Sequence, residues 1–156
     1  MDWDARVAAV WAAEASDVER IALIDTLAGE RPEDDPVALF ERAGARDSAG
    51  LETDAEALYR RALAGGLDEG RRVQAVIQLA STLRNLGRVS ESLALLEAEY
   101  EKGTDAVLHD ATAAFYALAL ASSGDAVAAA SVALQALAPH LPRYTRSVTA
   151  YARELA

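Results

Sequence analysis

QAVIQLASTLRNLGRVSESLALL, residues 74–96, is the stretch whose reading decides the fold. Val76, Leu79, Ala80 and Leu83 recur at the spacing of one helical face, Gly87 interrupts, and a second apolar helical pattern follows through Leu96. A glycine between two such runs ends one helix and turns the chain into the next, so the stretch predicts a helical hairpin. The same arrangement lies on either side of it, because Gly50, Gly87 and Gly124 stand 37 residues apart. Seven residues before each glycine are Ala43, Ala80 and Ala117, and five after it are Ala55, Ser92 and Ala129. Small side chains at these six places let the two helices of a hairpin touch closely, where larger ones would pry them apart. Leu39, Val76 and Ala113, with Tyr59, Leu96 and Ala133, are expected to fill the interior between neighbouring hairpins. A period between about 20 and 50 residues, with a helix on each side of a turn, predicts a helical solenoid.

Working outward, Trp3, Val7, Val10 and Trp11 form one stripe on a helix over about 2–14, a packed face with a ligand platform as the alternative reading. Ser16 and Asp17 offer a cap for a helix over 18–28, which Gly29 ends. Asp35-Pro36 is a cap followed by a first-turn proline and starts the first repeat. Helices are expected at about 37–48, 53–64, 69–86, 90–100, 105–122 and 126–138. The segment over 126–138 is apolar nearly all round and reads as buried on both sides, while Leu141, Tyr144, Val148, Tyr151 and Leu155 give a final cap helix one apolar face. The expectation is an all-α, α-solenoid fold of antiparallel hairpins with about nine helices in a single domain. Its parts are an N-terminal helical hairpin (1–29), repeats at 36–68, 69–104 and 105–138, and a capping helix (141–156).

The 52% hydrophobic content, much of it alanine, argues for a folded helical chain. The absence of cysteine excludes disulfides and thiolate metal sites and is compatible with a reducing, cytoplasmic compartment. The start, MDWDARVAAVWAAE, is acidic where a secretory signal is basic. Ser122-Ser123-Gly124-Asp125 divides the apolar stretch over 111–142 into pieces shorter than the about 20 residues of a spanning helix, so no membrane segment is expected. The formal charge of -10 sits in the front half: residues 1–69 hold 17 acids and seven bases, residues 70–156 eight of each. That balance argues against nucleic acid as a partner; it reads first as a solvated surface that keeps the protein in solution, with a basic or neutral partner as the alternative. No phosphate loop, nucleophile elbow, zinc spacing or dinucleotide fingerprint is present, and His109 has only Asp105 at helical spacing, so no enzyme, cofactor or metal site is expected.

The hairpins resemble tetratricopeptide repeats, in particular small bacterial proteins with about three of them. The middle unit carries the resemblance best, with Val76, Leu79, Ala80, Leu83, Gly87, Ser92 and Leu96 in the family's places, and the likeness covers about residues 36–138. The period departs from the usual about 34, which implies longer links near Gly65-Gly66-Leu67 and Lys102-Gly103-Thr104. Arg42 and Arg46 stand where the family prefers leucine and an aromatic, leaving either a loose first unit or arginines that meet acids of the N-terminal hairpin. Glu99 replaces an alanine.

The resemblance implies a non-enzymatic protein-binding module whose groove is lined by the first helix of each repeat. By that geometry the groove residues are Phe40, Gly44, Asp47 and Ser48; then Gln74, Ile77, Ser81, Arg84 and Asn85; then Ala114, Leu118 and Ser122. An apolar floor with polar donors suits a peptide or protein segment of an unidentified partner. The basic clamp by which some members hold a terminal carboxylate is not matched, since Phe40, Gly44, Ile77 and Ser81 occupy those positions. The alternatives are a solvated helix end at Arg84 and Asn85, a groove filled by the N-terminal helices, and a homodimer formed through the apolar C-terminal half.

Overall fold

The computed structural model describes residues 2–103 and 106–155. These are all-helical, with nine α-helices and no strand among the described residues. In chain order they are α1 (Trp3–Ala12), α2 (Asp17–Ala28), α3 (Pro36–Ser48), α4 (Glu52–Gly65), α5 (Glu69–Asn85), α6 (Val89–Lys102), α7 (His109–Ser123), α8 (Ala126–Leu137) and α9 (Thr145–Glu154).

The starts and stops follow from backbone groups that a helix leaves unpaired. Asp2 and Asp35 accept from Ala5 and Ala38 backbone N–H groups, and Ser16 forms a reciprocal capping box with Glu19. The three equally spaced glycines all lie in the left-handed region, with φ of +73°, +79° and +97° at Gly50, Gly87 and Gly124. Each closes the same hydrogen-bond pattern. The glycine N–H donates to Asp47, Arg84 or Ala121, and the next N–H reaches back to the carbonyl of Arg46, Leu83 or Leu120 at 2.9–3.0 Å. That is the Schellman motif, repeated with the period of the sequence.

The chain divides into two compact units, Met1–Thr82 and Leu83–Ala156. In the first, Val7, Ile24, Leu27 and Ala45 form a buried cluster, with Trp3, Val10 and Ile21 packed against it. The Trp3 indole N–H donates to the Leu27 carbonyl at 2.8 Å, and the Arg31 guanidinium lies 3.9 Å from the ring centroid. Ala43 and Ala55 are fully buried where α3 meets α4, beside Leu39 and Tyr59. Arg42 and Arg46 meet an acid of the N-terminal hairpin, both bonding Asp25 at 2.8–3.0 Å. The link between α4 and α5 is only residues 66–68, not the longer link that the period implies, and α5 instead runs to 17 residues.

In the second unit Ala117, Leu120 and Ala129 are buried with Leu93, Tyr116, Ala128 and Val132 around them. Ser92 and Leu96 are closed off from solvent, and Glu99 is buried. Tyr100 packs on His109 and Tyr116, with centroids 5.4 and 5.2 Å apart. Thr104 and Asp105 lie outside the described residues, so the start of the third hairpin at 105, the adjoining link and the Asp105–His109 pair fall there. The described helix begins at His109, and His140 bonds Asp110 at 2.8 Å.

Two expectations about the C-terminal helices are corrected. α8 is not buried on both sides: only Ala129 and Ser131 are buried, while Val127, Ala133 and Leu137 are exposed. Its packing against α7 and α9 uses one part of the circumference, and alanine on the other part reflects helix propensity as well as it would reflect burial. The final helix does not run from Leu141. Ala138–His140 forms a 3-10 turn, Pro139 and Pro142 lack the N–H that a continuing helix needs, and Tyr144 caps α9 at φ +70°. Ala152 packs at 0% exposure and accepts a 2.7 Å bond from Ser131, whereas Tyr144 and Tyr151 face solvent. Among the described residues no helix is long and apolar enough to cross a membrane.

Candidate functional site

A cleft of about 450 Å³ opens in the first unit. On α3, Phe40, Glu41, Gly44, Asp47 and Ser48 recur along one face; α5 supplies Gln74 and Gln78, one turn apart, and α1 supplies Trp11. A second concavity of about 390 Å³ continues it, sharing Trp11, Phe40, Glu41 and Gln74 and adding Asp4, Asp68 and Arg71.

Each wall is held by an identifiable contact. The Trp11 indole N–H donates to Glu41 Oε2 at 2.7 Å, which fixes the ring over Gly44. The fit there is close: a Cβ on Gly44 would sit 3.4 Å from Trp11 Cζ2. Phe40 is tilted against Tyr59, with ring centroids 6.3 Å apart. Asp47 is the hinge of a polar network, accepting from Tyr59 Oη at 3.2 Å and from Thr82 Oγ1 at 3.1 Å, so one carboxylate joins α3, α4 and α5. Arg71 donates to Asp4 and Asp68, each at 2.9 Å.

The electrostatics favour positive charge. Burial pushes the Glu41 carboxyl above its ordinary range, against the opposing effects of the Trp11 bond and Arg71. Asp47 is raised in the same way, burial outweighing the bonds from Thr82 and Tyr59. Burial, and then Asp47, also push the Tyr59 phenol upward. Neither Glu41 nor Asp47 has a salt bridge among the described residues. The Gln78 side-chain oxygen is buried and has no donor among them either.

Of the groove residues expected from sequence, Phe40, Asp47 and Gln74 come together here, with Gly44 and Ser48 beside them. Ile77 does not line the cleft: it is 6% exposed and belongs to the core. Ser81 is half-buried and also off the lining. Arg84, Asn85 and Leu118 lie in the second unit, Arg84 half-buried and the other two exposed; Ala114 and Ser122 are exposed there too. Trp11, Glu41 and Gln78 were not among the expected groove residues. A glycine inside a helix signals close approach of another group, and Gly44 is the trace of Trp11 that the sequence does carry.

No curated protein and no solved structure matches the chain. A family model does, over residues 36–155, so the match runs past the third hairpin to include α9. With its Schellman-closed hairpins and this match to the family described as Tetratrico peptide repeat, the chain belongs to the tetratricopeptide repeat family.

Proposed function

We propose that the protein is a non-enzymatic interaction module that takes a segment of a partner protein in the α1/α3/α5 cleft of its first unit. The observation that carries this reading is the cleft itself, with Trp11 and Phe40 as apolar walls and Gln74, Gln78 and Ser48 as polar groups. Sites that hold ligands combine apolar lining with a few placed polar groups in this way. Glu41 and Asp47 are already engaged in positioning Trp11, Tyr59 and Thr82, which supports binding over catalysis. The acidic front half argues against nucleic acid, and no cofactor enters the reading. The cytoplasm is the proposed setting, with which a chain lacking cysteine is compatible.

Affinity capture from a cell lysate with the wild-type chain, Trp11→Ala and Gln74→Ala tests the proposal. At least one protein retained by the wild type should be lost from both variants while their helical content stays unchanged. Identical capture profiles would overturn the assignment of the cleft.

A second reading, self-association through the apolar C-terminal half, draws on the exposure of Val127 (56%), Leu137 (50%) and Tyr151 (67%) in the second unit. Light scattering at micromolar concentration tests it, and a strict monomer removes it.

A further inference from the structure

We propose that the cleft selects an arginine side chain of its partner, an inference that rests on the reading of the cleft as the partner's seat. Two features converge on a flat cation with several N–H donors. The walls are the rings of Trp11 and Phe40, the first held in place by Glu41. The polar lining is dominated by acceptors: Glu41 and Asp47 have no ion-pair partner among the described residues, and the buried Gln78 oxygen has no donor. In the neighbouring concavity Asp4 and Asp68 are already paired with Arg71, so the carboxylates left to meet the cation are Glu41 and Asp47.

The nearby cations offset this field only in part, Arg71 acting on Glu41 through space without an ion pair. Arg71 is spent on Asp4 and Asp68, and Arg20, with its Cζ 5.7 Å from the Trp11 ring centroid, bonds Asp17 and the Ala15 carbonyl. A carboxylate-bearing segment would meet Glu41 and Asp47 as like charges. A lysine ammonium is a strongly hydrated point charge, poorly matched to a partly apolar cleft. Guanidinium is planar and weakly hydrated; it stacks on aromatic faces and donates within its plane, which suits a lining that combines aromatic rings with the Gln78 and carboxylate oxygens.

The test is selection from a random heptapeptide phage library on the full chain, with parallel panning on Trp11→Ala and on Ser48→Trp. The latter fills the cleft from an exposed position and serves as the control should Trp11→Ala fail to fold. Peptides enriched by the wild type and lost from the folded variants should share an arginine. In calorimetric titrations, replacing that arginine by neutral citrulline should weaken binding about tenfold, and lysine should not restore it. Glu41→Gln keeps an acceptor for the Trp11 indole but removes the charge, so on that variant the citrulline penalty should shrink. Cleft-dependent peptides without arginine, or lysine and citrulline versions that bind equally well, overturn the arginine inference and leave the cleft as the binding seat. No enrichment, or enrichment indifferent to both cleft variants, overturns both.

Discussion

Gly44→Ala sets stability against binding at a single atom. Gly44 lies inside α3, where glycine costs about 0.8–1.0 kcal/mol relative to alanine because its backbone loses more freedom on folding. Whether alanine recovers that amount depends on what the new methyl meets. An ideal Cβ would lie 3.4 Å from Trp11 Cζ2, 3.6 Å from Cη2 and 4.0 Å from Tyr59 Oη, all ordinary van der Waals contact. No neighbour has to move, so the helical gain should survive, and the variant should be more stable by about 0.5–1 kcal/mol. The methyl also projects into the cleft floor beneath the indole, so partner capture should weaken as stability rises. Urea unfolding followed by far-UV circular dichroism, beside the capture assay, reads both. A destabilised Gly44→Ala would mean that the indole has no slack over α3 and would refute the reasoning. Gly44→Leu is the companion case, since its longer side chain must displace Trp11 from Glu41 and should reverse the sign.

Gly87→Ala should cost about 1 kcal/mol although its Cβ would meet nothing within 4 Å, because φ is +79° and the penalty lies in the backbone; a neutral urea midpoint would count against it. Leu96→Ala, at a site 1% exposed, should cost about 2–5 kcal/mol as a core cavity, and an unchanged thermal midpoint would remove Leu96 from the core. Asp25 should contribute to acid stability: burial alone would raise its pKa, but Arg46 and then Arg42 outweigh burial and hold it below its ordinary value. Its contribution is therefore present above the unfolded carboxylate pKa and is lost as pH falls through the lowered one, so Asp25→Asn should flatten that part of the stability profile. Asp47 has the opposite sign. Burial raises its pKa, so its ionisation works against the fold as pH climbs from the ordinary carboxylate range through the raised value, a slope absent from Asp47→Asn when the two profiles are compared.

The hairpins were legible because their signals are local. A left-handed glycine every 37 residues, flanked by Ala43, Ala80, Ala117, Ala55, Ser92 and Ala129, can be read without knowing where any helix packs, and all six flanking residues are buried. Of the packing partners distant along the chain, the acid that Arg42 and Arg46 meet in the N-terminal hairpin was legible from their misplaced charge, and the rest were not. Trp11 reaches Glu41 across 30 residues, and only Gly44 hints at it. On α5 the expected face was turned by one position. Positions three and four residues on from Gln74 both fit a helical stripe, and polarity distinguishes them, since Gln78 lines the cleft while Ile77 enters the core. In α8 the uniform run of alanine carries no contrast between faces, so Val127 and Leu137 give no warning that they are exposed.

The chain has two tryptophans, Trp3 and Trp11, and both belong to the first unit. Trp3 is partly buried with its N–H on the Leu27 carbonyl, whereas Trp11 is 36% exposed at the mouth of the cleft. Intrinsic emission is therefore a regional probe: the neutral quencher acrylamide should quench Trp11 far more than Trp3, and an occupant of the cleft should shield it. During unfolding the same signal follows the first unit alone, while far-UV ellipticity sums the helices of both. Transitions that separate between the two signals identify units that melt on their own, and coincident ones identify a single cooperative fold.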